Sequence, residues 1–189
     1  MENKKIVIIS GPSAVGKTRV INCIKKMSVE FEHLISYTTR EKRQGEENGE
    51  DYHFVSRSKF DNMVGNNLFY EVSKNELGYY GITKESMEKV LQNSKNIILD
   101  SDLNGYQQFK KKCGKKCVGI FLKPTSLDEL YQQLKDRGES RGIKNDFDFK
   151  IRWEKNMEVI NQSDAFDFVI INDNVELTAK KIIEIVNNF

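Results

Sequence analysis

Proline occurs only twice in the 189 residues, at Pro12 and Pro124, and the chain has no repeat, no low-complexity tract and no obvious linker. Nothing therefore marks a boundary between separate domains. The length suits one domain with a sizeable core and room for a small appended subdomain. Cysteine is scarce too: Cys23, Cys113 and Cys117 are an odd set of three, which argues against a disulfide framework. Neither histidine lies near Cys113 and Cys117, so these two read as ordinary thiols rather than half a metal site. Long apolar runs are missing as well. The opening "MENKKIVIIS" carries only Ile6 to Ile9, too short for a signal-peptide core or a membrane span, and the chain reads as cytoplasmic. Charge of one sign is also lacking, since 30 Lys and Arg stand against 28 Asp and Glu, a net of +2. That balance argues against nucleic acid or a membrane as the main partner, so any basic function must be local. The basic "KKKCGKK" near 110–116 reads as a solvated connection.

What the chain does contain is a rhythm of short buried runs and amphipathic stretches. "IVIIS", "NIILD", "CVGIFL" and "FDFVII" have the length and bounds of strands buried on both faces. In "GKTRVINCIKKM", Val20, Ile24 and Met27 recur at helical spacing. "TSLDELYQQLKDRG" starts with a capping box, Ser126 and Glu129, and Gly138 suits the helix end. "VELTAKKIIEIVNNF" sets Leu177, Ile182, Ile185 and Val186 on one side. Alternating strands and helices predict an α/β sheet covered on both faces. Two regions break the rhythm. Residues 36–83 hold aromatic-rich segments, "DYHFV", "LFYEV" and "GYYGIT", that read as a small mixed sheet. Residues 133–147 are polar, basic and carry two glycines, the composition of a lid or of a plain surface connection.

"GPSAVGKT" satisfies G-x-x-x-x-G-K-[ST] between a predicted strand and a predicted helix. Gly11 and Gly16 let the backbone bend so that several N–H groups converge on phosphate oxygens, and the helix N-terminus adds its positive end. Lys17 would reach the β and γ phosphates, and the Thr18 hydroxyl would ligate Mg²⁺. This predicts nucleoside triphosphate binding over Gly11, Pro12, Ser13, Ala14, Val15, Gly16, Lys17 and Thr18. Asp100, ending "NIILD", is a candidate second Mg²⁺ partner through water. No N-K-x-D segment reads a base, which argues against a signalling GTPase.

A second anion site is suggested by Arg40 and Arg43, three apart, with Tyr52 and Tyr80 offering hydroxyls. Here the sequence resembles the guanylate kinase family. The likeness runs through "ISGPSAVGKT", "SYTTREKRQGEENGEDYHFV", "LFYEV", "GYYGIT", "IILDSDLNG", "LKDRG" and "FDFVIINDN", nearly the whole chain. The resemblance implies an α/β P-loop NTPase-type three-layer core with a parallel sheet, a small mixed-sheet GMP-binding subdomain and a helical lid. It implies core segments 1–35, 84–130 and 156–189, a nucleotide-monophosphate subdomain at 36–83 and a lid at about 131–155. It also implies transfer of the γ-phosphoryl of ATP to GMP, with Mg²⁺. Carried over by position, the acceptor phosphate would meet Arg40, Arg43, Tyr52 and Tyr80, and the base Ser36, Glu71 and Asp102. Arg137 and Arg152 would neutralise the transferred phosphoryl, completing a charge-stabilising set with Lys17, Arg40 and Arg43; Arg137 would also bind ATP, and Asn172 would contact adenine. Acceptor-only carboxylates also suit guanine, whose N1–H and N2–H₂ are donors. Four positions depart from the family's usual residues. Ile82 replaces Ser or Thr, Gln133 an arginine, Ala14 a glycine and Asn104 a glutamine. The rival expectations are a related nucleotide kinase with a different acceptor, prompted by Ile82, and a non-catalytic protein-binding module of the same fold.

Overall fold

The computed structural model describes residues 4–43, 45–75, 77–93, 95–139 and 146–189. In chain order the strands and helices are β1 (Ile6–Ser10), α1 (Lys17–Met27), β2 (Phe31–His33), β3 (Tyr37–Thr38), β4 (His53–Phe54) and α2 (Arg57–Gly65). There follow β5 (Phe69–Asn75), β6 (Gly78–Thr83), α3 (Lys84–Gln92), β7 (Asn96–Asp100), α4 (Leu103–Cys113) and β8 (Cys117–Lys123). The chain closes with α5 (Leu127–Glu139), α6 (Asp146–Ile160), β9 (Phe168–Ile171) and α7 (Val175–Asn188).

Strands β2, β7, β1, β8 and β9 lie side by side in that order, all parallel. The apolar alternation within β1 explains the layers on either side. Val7 and Ile9 face a cluster with Val20, Ile24, Ile182 and Val186 from α1 and α7. Ile6 and Ile8 face the opposite cluster, with Met87, Tyr106 and Phe109 from α3 and α4. Every β1 residue is buried, and each such aliphatic side chain withdrawn from water contributes about 1.5–3 kcal/mol. The expected sheet covered on both faces is therefore what forms.

Strands β4, β3, β6 and β5 form the second, mixed sheet; β3 pairs with β4 in parallel and with β6 antiparallel. It has its own apolar nucleus of Phe60, Met63 and Phe69, with the rings of Phe60 and Phe69 stacked at 4.6 Å. Phe60 and Met63 come from helix α2, which has no counterpart in the expectations from sequence.

Several local expectations need correction. Met27 and Leu177 are exposed, and Ile21 takes the buried place on α1, because α1 packs against α7 through the turn before Met27. The Ser126 side chain does cap α5, accepting from Glu129 N–H at 3.1 Å, but the helix runs through Gly138 to Glu139. Glycine lowers helix stability without ending a helix by itself. Lys110 to Lys112 belong to the last turn of α4, where cations suit the carbonyl end, and Lys110 also bonds the Asp167 carboxylate at 2.7 Å. The centre of the expected lid, residues 140–145, lies outside the described residues. No helix among the described residues is long and apolar enough to cross a membrane.

Candidate active site

The loop between β1 and α1 is bent by its glycines. Gly11 has φ 144°, and a Cβ there would sit 2.5 Å from the Leu122 carbonyl oxygen on β8. Gly16, with φ 97°, caps α1 without a side-chain bond, so the helix's first amides face the loop. Between them Ala14 stands at φ 72°. The angle is left-handed, and an alanine there costs about 1–2 kcal/mol that glycine would not.

Inside this loop the Lys17 ammonium donates to the carbonyls of Gly11 at 2.7 Å and Pro12 at 3.0 Å. Burial pushes its pKa down to about 8; Asp100 opposes that shift and Arg137 adds to it. Asp100 ends β7 level with Ile9 of β1, and Arg137 lies in the last turn of α5. Thr18 is exposed in the first turn of α1. Asn172, just past β9, donates its amide to the Val15 carbonyl at 2.7 Å, while its buried Oδ1 has no partner among the described residues. A cavity of about 720 Å³ opens there, lined by Ala14, Gly16, Arg19, Gln133 and Asn172 among others.

Across the C-terminal ends of the parallel strands lies the second group. Arg40, 8 % exposed, forks onto Glu46 through two bonds of 2.9 and 2.8 Å and donates to the Glu41 carbonyl at 2.6 Å. Its guanidinium lies over the rings of Tyr52, at 5.2 Å, and Phe54, at 5.5 Å. The Tyr52 and Tyr80 rings meet edge-on at 5.9 Å. Glu46 also accepts the Arg43 N–H at 2.9 Å. Burial pushes its carboxyl up, but those bonds outweigh it and hold the group below the usual carboxylate range. The Tyr52 hydroxyl is pushed up, first by Asp100 and then by burial.

Deeper in, Glu71 on β5 is 4 % exposed and its Oε1 has no hydrogen-bond partner among the described residues. Burial, then Asp102, raises its pKa from 4.5 to about 7, against the Ser73 bond and Lys112. Asp102 caps α4, accepting from Gly105 N–H at 2.9 Å. A Cβ on Gly105 would come within 2.9 Å of Glu71 Oε1, so the start of α4 lies against the Glu71 carboxylate. Ile82 pairs directly across from Glu71 and is fully buried in the cluster shared with α3 and α4. Ser36 precedes β3, and its carbonyl accepts the His53 N–H at 2.9 Å.

Arg40, Tyr52 and Tyr80 are thus gathered in one place, as are Lys17, Asp100 and Arg137, while Arg152 is half-buried on α6. Two polar residues that shape the site escape a sequence reading. Glu46 is one, although its place three residues after Arg43 was a signal. Asn156 is the other: it falls at helical spacing between Trp153 and Ile160, a polar residue in an apolar stripe.

A parallel sheet with a glycine-bent phosphate loop between its central strand and the next helix defines a P-loop α/β protein. The family described as guanylate kinase matches residues 3–189, and the chain belongs to the guanylate kinase family. It is 37% identical over 186 residues to the guanylate kinase of Bacillus subtilis (strain 168), covering 98% of this chain and 89% of that one. It is 34% identical over 187 residues to that of Aster yellows witches'-broom phytoplasma (strain AYWB), covering 97% and 87%. The crystal structure of guanylate kinase from Anaplasma phagocytophilum superposes with a TM-score of 0.79 at 25% identity, covering 98% of this chain and 85% of that chain.

Proposed function

We propose that the two anion sites act on one reaction, transfer of the γ-phosphoryl group of ATP to GMP to give ADP and GDP. Family membership supports the activity. The observation that supports the site assignment is the place of Asp100, which ends β7 level with Ile9 of β1, just before the loop that holds Lys17, and whose charge acts on both Lys17 and Tyr52. On this reading the two sites open onto one gap.

On this reading the loop Gly11–Thr18 holds the ATP phosphates, and Lys17 exchanges the Gly11 and Pro12 carbonyls for phosphate oxygens. Asn172 faces adenine. Arg40, Arg43, Tyr52 and Tyr80 hold the acceptor phosphate; Ser36, Glu71 and Asp102 read guanine. An oxygen of the GMP phosphate attacks the γ-phosphorus as the bond to ADP breaks. Lys17, Arg40, Arg43, Arg137 and Arg152 offset the charge spreading over the transferred group. Segment 36–83 acts as the acceptor subdomain on the core 1–35, 84–130 and 156–189. Segment 131–155 acts as the lid that excludes water. Thr18 and Asp100 would hold the Mg²⁺ that accompanies ATP, Asp100 through water. Hard oxygen donors suit that ion, and with substrate phosphates present it needs only one or two from the protein. Bound there, it would neutralise β- and γ-phosphate charge.

ADP release followed with and without GMP tests the reading, with GMP, dGMP, AMP, UMP and CMP compared side by side. The expected result is GMP-dependent ADP formation with GMP or dGMP far ahead. Equal rates with and without acceptor would mean an ATPase, and preference for another base would move the assignment of Glu71.

Glu46→Gln probes the acceptor site from its edge. The amide keeps one acceptor but loses the charge that fixes Arg40 in a largely buried pair, with side-chain exposures of 7% and 13%. KM for GMP should rise about tenfold, the equivalent of about 1.4 kcal/mol. KM for ATP should hold. Steady-state kinetics with each substrate varied in turn reads both.

A further inference from the structure

Helix α6 reaches the loop between β1 and α1 with Asn156, a residue to which the proposed function gives no part in holding either nucleotide. Asn156 is 2 % exposed. Its Oδ1 accepts the Ser13 N–H at 2.7 Å, and its Nδ2 donates to the Ser13 carbonyl at 3.1 Å. Both backbone polar groups of one loop residue are thus bound by one carboxamide from a helix 143 positions away in sequence. The next residue in the loop, Ala14, is the one held at φ 72°. One turn before Asn156 on the same helical face stands Arg152, because residues four apart on a helix lie one above the other. Trp153 and Ile160, on either side of Asn156, pack α6 against the apolar cluster that includes Val7 and Ile9 of β1.

We propose that Asn156 is a positioning residue for phosphoryl transfer. By gripping the Ser13 backbone it holds the phosphate loop in its strained shape and keeps that loop in register with the helix bearing Arg152. This rests on the reading of the loop as the ATP site. The physical basis is directional. With Asn156 gone, the Ser13 N–H and carbonyl lose the partner that fixes their orientation, and the Ser13–Ala14 segment relaxes toward an ordinary backbone angle. Amides that follow Ser13 then no longer converge on the phosphates. The acceptor site, built on β3 to β6, lies on other elements and is left as it was.

Two variants test it. Asn156→Leu fills the same space without polar atoms, and Asn156→Ser keeps a shorter hydroxyl. Asn156→Leu should lower kcat/KM for ATP about 10- to 50-fold and weaken ADP binding, measured by calorimetry, by about fivefold or more. KM for GMP should stay within about twofold of the parent. Asn156→Ser should fall between the two, and it carries the test if the leucine variant does not fold. Parent-like ATP and ADP parameters in a folded variant would overturn the proposal. So would equal rises in both KM values that follow a drop in Tm, since that pattern marks general loosening. Absence of GMP-dependent turnover in the parent chain overturns the activity instead; the ADP titrations still decide the part played by Asn156.

Discussion

Lys17→Met lowers kcat by about 10²- to 10³-fold while KM for GMP stays near its parent value. The ammonium is the charge most deeply set in the loop, bonded to the Gly11 and Pro12 carbonyls and depressed to about 8 by burial. A charge so enclosed interacts strongly with any phosphate that enters, because water no longer screens it. Bound phosphate restores a negative neighbour and draws the pKa back up, so the charged form is the one present during turnover. Removal of one well-placed donor to a developing anion typically forfeits about 3–4 kcal/mol of barrier lowering, which corresponds to a fall in kcat of that size. Methionine matches the stem in length and brings no charge into the covered site, so Tm should change little. A variant of unaltered Tm and unaltered kcat would refute the assignment of Lys17. Lys17→Arg should also be poor, since a planar fork does not fit where a compact ammonium sits between two carbonyls.

KM for GMP falls about tenfold between pH 6 and pH 8, and the slope disappears in Glu71→Gln. In the empty protein the Glu71 carboxyl titrates near 7, raised from 4.5 by burial and by Asp102. Guanine offers donors to this position, so only the ionised carboxylate receives them, and binding expels the proton. Affinity therefore improves as pH rises through the folded value. A GMP phosphate also titrates near 6, but the glutamine variant retains that group, so the difference between the two profiles isolates Glu71. KM for GMP in Glu71→Gln should be raised about 100-fold at pH 8, because an amide N–H then opposes a guanine N–H. Stability moves the other way. A carboxyl whose folded pKa is raised lends stability that is fully present below its ordinary value of 4.5 and is lost as pH rises from there through about 7. Glu71→Gln removes the loss, so its Tm at pH 8 without nucleotide should exceed the parent's by at least about 2–4 °C. Parallel pH profiles for parent and variant would exclude Glu71 from the base site.

The phosphate loop was legible because its parts are contiguous: one strand, one bend and one helix start lie within thirteen residues of sequence, Ile6 to Thr18. The main sheet was legible for a related reason, since strands buried on both faces show as unbroken apolar runs. The acceptor site is different in kind. Arg40 follows β3, Tyr52 precedes β4, Tyr80 lies on β6, Glu71 on β5 and Asp102 at the head of α4. The three-residue spacing of Arg40 and Arg43 suggested an anion site with Tyr52 and Tyr80, but no spacing rule joins Glu71 and Asp102 to them, and only the family likeness selected those two. Met27 and Leu177 show the same limit at smaller scale. Helical period placed them on the apolar side, but which turn a neighbouring helix covers is decided by packing between α1 and α7. Asn156 and Ser13, 143 positions apart, are the extreme case.

The stacked and forked arginine at position 40 has an effect on timing. Its rotamer freedom, worth up to about 2 kcal/mol, is surrendered when the chain folds rather than when ligand arrives. If Arg40 receives the acceptor as proposed, an incoming monophosphate meets a rigid receptor, and association is governed by diffusion and charge attraction instead of by waiting for a side chain to settle.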